Sequence, residues 1–190
     1  MRNLLFFALL LITISGFGQM LAINDQELVA TSENIVRGNV LSSEAKWVDG
    51  GKFIYTFTKL IVEDNISGTY KKGDTVTIVT PGGYDPVKDL GMRVSHQAEF
   101  NNGDDAVVFL VKAEGEMDAI DYRFLKNDPS LPQNIMRVNG YFQGKRKIYT
   151  DPKTKRLMIL KPNEDRAVEL NTHQLELKQE VKQFKTIQTK

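Results

Sequence analysis

His96 and His173 are the only imidazoles in the 190-residue chain, so they are where acid–base or nucleophilic chemistry would start. Ser95 precedes His96, and Arg93 and Tyr84 share the same polar stretch after Pro81-Gly82-Gly83. A serine hydrolase would need that histidine held by a carboxylate and the serine set on a strained turn. No Gly-x-Ser-x-Gly elbow is present and no carboxylate partner stands out. His96 therefore reads as a loop histidine with local hydrogen bonds, and no catalytic residue is assigned. His173 falls at the start of a helical pattern and reads as a surface residue.

The acidic candidates for metal binding are Asp104 with Asp105, and the group Glu114, Glu116, Asp118 and Asp121. Oxygen-rich clusters suit calcium, but neither stretch has the spacing and terminal glutamate of an EF-hand. Both read as turns, and no metal or cofactor is expected. The glycines after Pro81 lack the lysine and helix of a phosphate loop and read as a strand end. Trp47, Tyr55 and Phe57 offer stacking surfaces for a sugar or base, yet at strand spacing aromatics chiefly build a core. With no cysteine in the chain, thiol nucleophiles, disulfide exchange and cysteine-ligated metals are excluded.

What remains is a binding surface on loops carried by a rigid scaffold. The region Pro81 to His96 is the expected site, with Tyr84 as apolar contact, Arg93 as polar anchor and His96 beside them. The expected function is a non-enzymatic binding module for an extracytoplasmic protein, peptide or glycan. A hydrolase using the loop around His96, or a structural component of the cell envelope, are the alternatives.

The compartment follows from the N-terminus. Arg2, the apolar run Leu4 to Ile14, and small residues at Gly16 and Gly18 follow the order of a secretory signal peptide over residues 1–18. Cleavage is expected before Gln19, with a later cut after Ala22 as the alternative. The run is about half of the ~20 apolar residues that a membrane span needs. The protein is thus expected to be secreted or periplasmic, with no transmembrane segment after signal removal. Lys and Arg number 25 and Asp and Glu 24; losing Arg2 with the leader leaves the two signs equal. Nucleic-acid binding, which needs a basic face, is not expected.

The elements that must position these residues are mostly strands. A short helical lead-in, with Asp25 as cap and Leu28 and Val29 inward, precedes a strand from Ile35 to Leu41. Gly38 within it marks a bulge or a close backbone approach. Asp49-Gly50-Gly51 turns the chain into a long aromatic and β-branched strand, Lys52 to Glu63. Strands follow at Thr75 to Thr80, Met92 to Val94, Asp105 to Lys112 and Ile135 to Tyr141. A hairpin links Lys147–Thr150 to Arg156–Leu160, and its basic residues, from Lys145 through Arg156, read as solvated. The continuous run Ala106 to Val111 should be the most buried strand. Leu175, Leu177, Val181, Phe184 and Ile187 form the apolar stripe of a C-terminal helix with Asn171 and Gln174 as its capping box.

The segment Ile35 to Val40 and the Thr-rich strand ending at Asp64 resemble the opening of an oligonucleotide/oligosaccharide-binding (OB) barrel. More narrowly, they are similar to the barrels of the netrin-module and tissue-inhibitor-of-metalloproteinase class. The order Tyr55-Thr56-Phe57-Thr58, Pro81-Gly82-Gly83, Gly91-Met92-Arg93-Val94, Phe109-Leu110 also resembles a broad group of secreted bacterial proteins. The likeness spans residues 33–112. It implies the barrel alone, because inhibitors of that class act through an N-terminal cysteine, which is lacking here. The expected fold is mainly β: an OB-like small β-barrel with a C-terminal amphipathic α-helix, forming one domain over residues 19–190.

Overall fold

The computed structural model describes residues 21–117, 120–127, 131, 134–161 and 167–188. The signal peptide expected over residues 1–18 lies outside them, as does Asp118. Two long strands dominate: β1 (Asn34–Val48) and β2 (Phe53–Ser67) pair antiparallel along their whole length. Both outrun their sequence-based ends because each rung of the hairpin stabilises the next, carrying polar residues such as Ser43 and Lys59 into the ladder. β3 (Thr75–Pro81) pairs antiparallel with β2, and β6 (Asp105–Lys112) pairs with the first half of β1. β9 (Met136–Val138), shorter than the stretch expected, pairs antiparallel with β6 and parallel with β3.

The pairings β1–β2–β3–β9–β6–β1 run round a five-stranded OB-like barrel. Among the described residues Ile78 and Met136 are the one pair bridging β3 and β9, so the sheet is not closed there as a true barrel. β6 continues the sheet outward through β10 (Lys145–Thr150), β11 (Leu157–Leu160) and β12 (Ala167–Glu169). A small hairpin of β4 (Gly83–Asp85) and β5 (Leu90–Met92) leaves the end of β3, and a second one joins β7 (Glu116–Met117) to β8 (Ile120–Asp121). Among the described residues the helices are α1 (Asp25–Thr31), the short α2 (Phe124–Asn127) and the long C-terminal α3 (Leu170–Gln188). Among the described residues no helix is long and apolar enough to cross a membrane.

β6 is buried on both faces, as its continuous apolar run predicts. Ala106, Val108 and Leu110 point into the barrel with Val36, Val40, Leu60, Val76, Ile78 and Met136. Val107 and Phe109 face the other way, under Leu28 of α1 and Leu170, Leu177 and Val181 of α3. Tyr55 and Phe57 belong to a third cluster with Val48, Val79, Tyr122 and Ile135, so these aromatics are core. Gly38 sits at a register shift, and a Cβ there would lie 2.3 Å from Leu60 Cδ2 and 2.4 Å from the Ile61 carbonyl oxygen. The close backbone approach expected at Gly38 is what forbids any side chain.

Several local readings change in three dimensions. Asn24, not Asp25, caps α1, its Oδ1 accepting from the Glu27 N–H at 2.8 Å. Helix α3 begins at Leu170, so Asn171 lies inside it, and Gln174 Nε2 donates to Asp64 rather than closing a capping box. Leu175 and Ile187 are exposed, and the buried stripe is Leu170, His173, Leu177 and Val181, spaced by three or four residues. His173, expected at the surface, is fully buried. The basic hairpin is not solvated throughout: Lys145 and Arg146 turn inward to carboxylates.

Candidate functional site

Two places concentrate functional groups. The first is the β4–β5 hairpin. Pro81 ends β3, and Gly82 and Gly83, both with positive φ, swing the chain across the β1–β2 arm. A Cβ on Gly83 would meet Thr56 Oγ1 at 2.7 Å and Ala45 Cβ at 2.8 Å, so the hairpin lies flat on that face. Gly82 N donates to the Ile54 carbonyl and Thr56 Oγ1 donates to the Gly82 carbonyl, fastening its root. Further out, the Trp47 indole N–H donates to Asp85 Oδ2 at 2.7 Å, and Lys88 Nζ stands 4.9 Å from the Trp47 ring centroid. Asp85 Oδ1 also accepts from the Val87 and Lys88 N–H groups, closing the turn. These donors, the indole first, hold the Asp85 carboxyl below its ordinary range.

This braced hairpin leaves three apolar side chains in solvent: Val87 at its tip, Tyr84 on its outer face and Leu90, opposite Asp85 in the ladder, on the other. Tyr84 is 56% exposed, Val87 92% and Leu90 55%. Gly91 lies opposite Tyr84 and leaves room for its ring. The Tyr84 hydroxyl donates to Asp89 Oδ1 at 2.5 Å, which raises the pKa of the phenol. The other two expected site residues stand elsewhere on the loop. Arg93 is exposed and faces Glu99 at 3.8 Å. His96, at positive φ, is exposed, its ring 6.2 Å from that of Phe142 and its carbonyl accepting the Phe142 N–H. Each of the three is thus held by a different partner, and no contact among the described residues joins them to one another.

The second place is buried. Arg146 of β10, 2% exposed, points under both long-range helical covers. Its Nη1 and Nη2 fork onto the two oxygens of Asp25 in α1, 121 residues away. Nη1 also donates to His173 Nε2 of α3 at 2.7 Å, and the guanidinium lies 4.7 Å from the Phe109 ring. Lys161 Nζ adds a second cation, 3.2 Å from Asp25 Oδ2. Because arginine only donates, His173 must accept at Nε2 and carry its proton on Nδ1. Among the described residues that Nδ1 has no hydrogen-bond partner, and Glu176 Oε2 lies 3.8 Å away. Burial, then the Arg146 charge, pushes the His173 pKa down to about 4. Burial works against the Asp25 carboxylate, but Arg146 and Lys161 outweigh it and hold that pKa low. Glu180, on the same helix, is pushed up by burial and by the Asp25 charge. This arrangement ties α1 and α3 to the sheet. The sequence carried one signal for it: His173 repeats with Leu170, Leu177 and Val181 at helical spacing, on the buried stripe.

Of the acidic candidates, Asp104 and Asp105 are answered by cations. Asp104 accepts from Lys145 at 2.8 Å and pairs with Lys147 at 3.0 Å. Burial raises its pKa, but these lysines overcome that and bring it to about 2. Asp105 forks with Arg37 at 2.6 and 3.1 Å. Among the described residues no three His, Asp or Glu side chains come together as metal ligands. Compared with known proteins, the chain matches no family model, no curated protein and no solved structure.

Proposed function

We propose that the chain is an exported binding module whose recognition surface is the β4–β5 hairpin, with a protein or peptide segment as its ligand. The observation that carries this reading is the exposure of Tyr84, Val87 and Leu90 on a hairpin anchored to the β1–β2 arm at Gly82, Thr56 and Trp47. Apolar side chains held in water by a rigid support gain free energy when a partner covers them. Aliphatic Val87 and Leu90 suit a peptide or protein surface better than a sugar, which stacks chiefly on aromatic rings. Tyr84 is the anchor in this reading, while Arg93 lies on the polar rim. The resemblance of residues 33–112 to the netrin-module class implies a barrel and no inhibitory role, and export is inferred from the N-terminal residues.

The test is selection of peptides from a displayed random library, alongside a glycan array, on the chain purified after export. Peptides that bind the native chain and lose about tenfold or more in affinity to Tyr84→Ala/Val87→Asp support the proposal. Selected peptides that bind this variant equally well refute the hairpin as the site. Binding confined to glycans refutes the ligand class.

A further inference from the structure

β2 lies along the whole of β1, but β6 covers the other side of β1 only from Asn34 to Asn39. Val40 is closed off by the turn after it in space, donating to the Asp104 carbonyl and accepting from Gly103 N. From Leu41 to Val48 no strand lies on that outer side among the described residues. The ladder shows which groups face out. Ile54 directs its carbonyl to Gly82 N, away from β1. Ile54 is the partner of Trp47, so this is a non-hydrogen-bonded pair and the N–H and C=O of Trp47 point outward. Alternation gives the same direction to Ala45 and Ser43.

A long open edge is normally blunted by charge, proline or a bulge. A register shift does occur between Val40 and Ser42. Beyond it the exposed charges are Glu44 and Lys46, which pair with each other at 3.3 Å. Opposite signs two positions apart do not repel an antiparallel copy; they complement it. When the edge meets its own copy about Ala45, the outward groups of Ala45 face the partner's Ala45, and those of Ser43 face the partner's Trp47. Glu44 then falls opposite the partner's Lys46, in the closer, non-hydrogen-bonded type of pair, about 4.5 Å between Cα atoms. Moving the register by two residues either way sets Glu44 against the partner's Glu44 or Lys46 against the partner's Lys46. One register alone satisfies backbone and charge together. Among the described residues the opposite end of the sheet offers only the short β12.

We propose that Leu41 to Val48 of β1 is a homodimerisation strand, pairing antiparallel with the same edge of a second copy about a two-fold axis through Ala45. Such an isologous contact joins the two sheets into one. Glu44→Lys and Lys46→Glu each replace both opposite-charge pairs with like-charge pairs, and the double variant restores them in reversed sense. The measurement is sedimentation velocity of the purified chain over a concentration series. The native chain should form a dimer. Each single variant should weaken it by about tenfold or more. Glu44→Lys/Lys46→Glu should recover it, and an equimolar mixture of the two single variants should form a heterodimer. A native chain that stays monomeric throughout overturns the proposal. So does a dimer that is indifferent to the single charge changes, since it would use another surface. Ala45→Pro, which removes the N–H on the axis, should abolish the dimer and leave the far-ultraviolet circular dichroism of the monomer unchanged.

Discussion

Acidification should loosen the attachment of α3 through His173, and the size of the effect follows from its surroundings. Among the described residues the charged groups that face the imidazole are Arg146 from β10, Asp25 from α1, Lys161 after β11 and Glu176 on α3 itself, with Glu180 one turn further on. Buried and facing Arg146, the folded-state ring takes a proton only near pH 4, against an ordinary value of 6.5. The unfolded chain therefore binds the proton first as pH falls below 6.5, and stability is lost until pH reaches the folded value. At roughly 1.4 kcal/mol per unit, the whole window is worth about 3 kcal/mol. Glu180 acts with the opposite sign: its raised pKa adds stability as pH falls. The native protein alone thus mixes two slopes. His173→Gln isolates the first, because glutamine keeps an acceptor for Arg146 and does not titrate. Urea unfolding from about pH 7.5 to about pH 4.5 should show the native chain losing stability relative to the variant by ~2–3 kcal/mol. Asp25, with a lowered pKa, adds its own loss only at more acidic values, as pH falls from its ordinary 3.8 towards its folded value. Parallel stability curves for the native chain and His173→Gln would refute the reasoning.

Two further substitutions probe the framework. Arg146→Met strips the donor from His173 and leaves Asp25 with Lys161 as its cation, and should cost about 1.5–3 kcal/mol in urea unfolding; a loss under ~1 kcal/mol would mean that the network does not clamp the helices. Gly38→Ala should cost about 1–3 kcal/mol by overpacking, and Leu60→Ala should fail to rescue it because the Ile61 carbonyl also blocks the new Cβ.

Much of the barrel was legible along the chain. Thr75 to Thr80 and Ala106 to Val111 are dense in β-branched residues, and their strands run within a residue or two of the expected limits. Gly38 announced a close approach because a lone glycine inside a strand pattern has few other uses. Tyr55 and Phe57 announced a core by their alternation. These signals are local: they depend on the shape of one residue and its near neighbours.

The candidate sites were legible only in part. Pro81 to His96 stood out by its glycines and its aromatic, but Tyr84, Arg93 and His96 found three separate partners, Asp89, Glu99 and Phe142. Which apolar side chains of the hairpin stay exposed depends instead on how it lies against the β1–β2 arm, and no spacing in the sequence specifies that. From the sequence His173 reads as a surface residue at a helix start and Lys145 as part of a solvated basic hairpin, yet such positions forecast exposure only when no partner waits inside. The partners, Arg146 and Asp25 for the one and Asp104 for the other, come from distant segments. By itself, then, the sequence determined a mainly β chain, the limits of β3 and β6, its lack of thiol chemistry and an N-terminus read as an export signal, because propensity and composition act over a few residues. The tertiary structure alone decided which charges are buried together, which apolar groups are left outside and which strand edge stays open, because those depend on how distant segments are stacked.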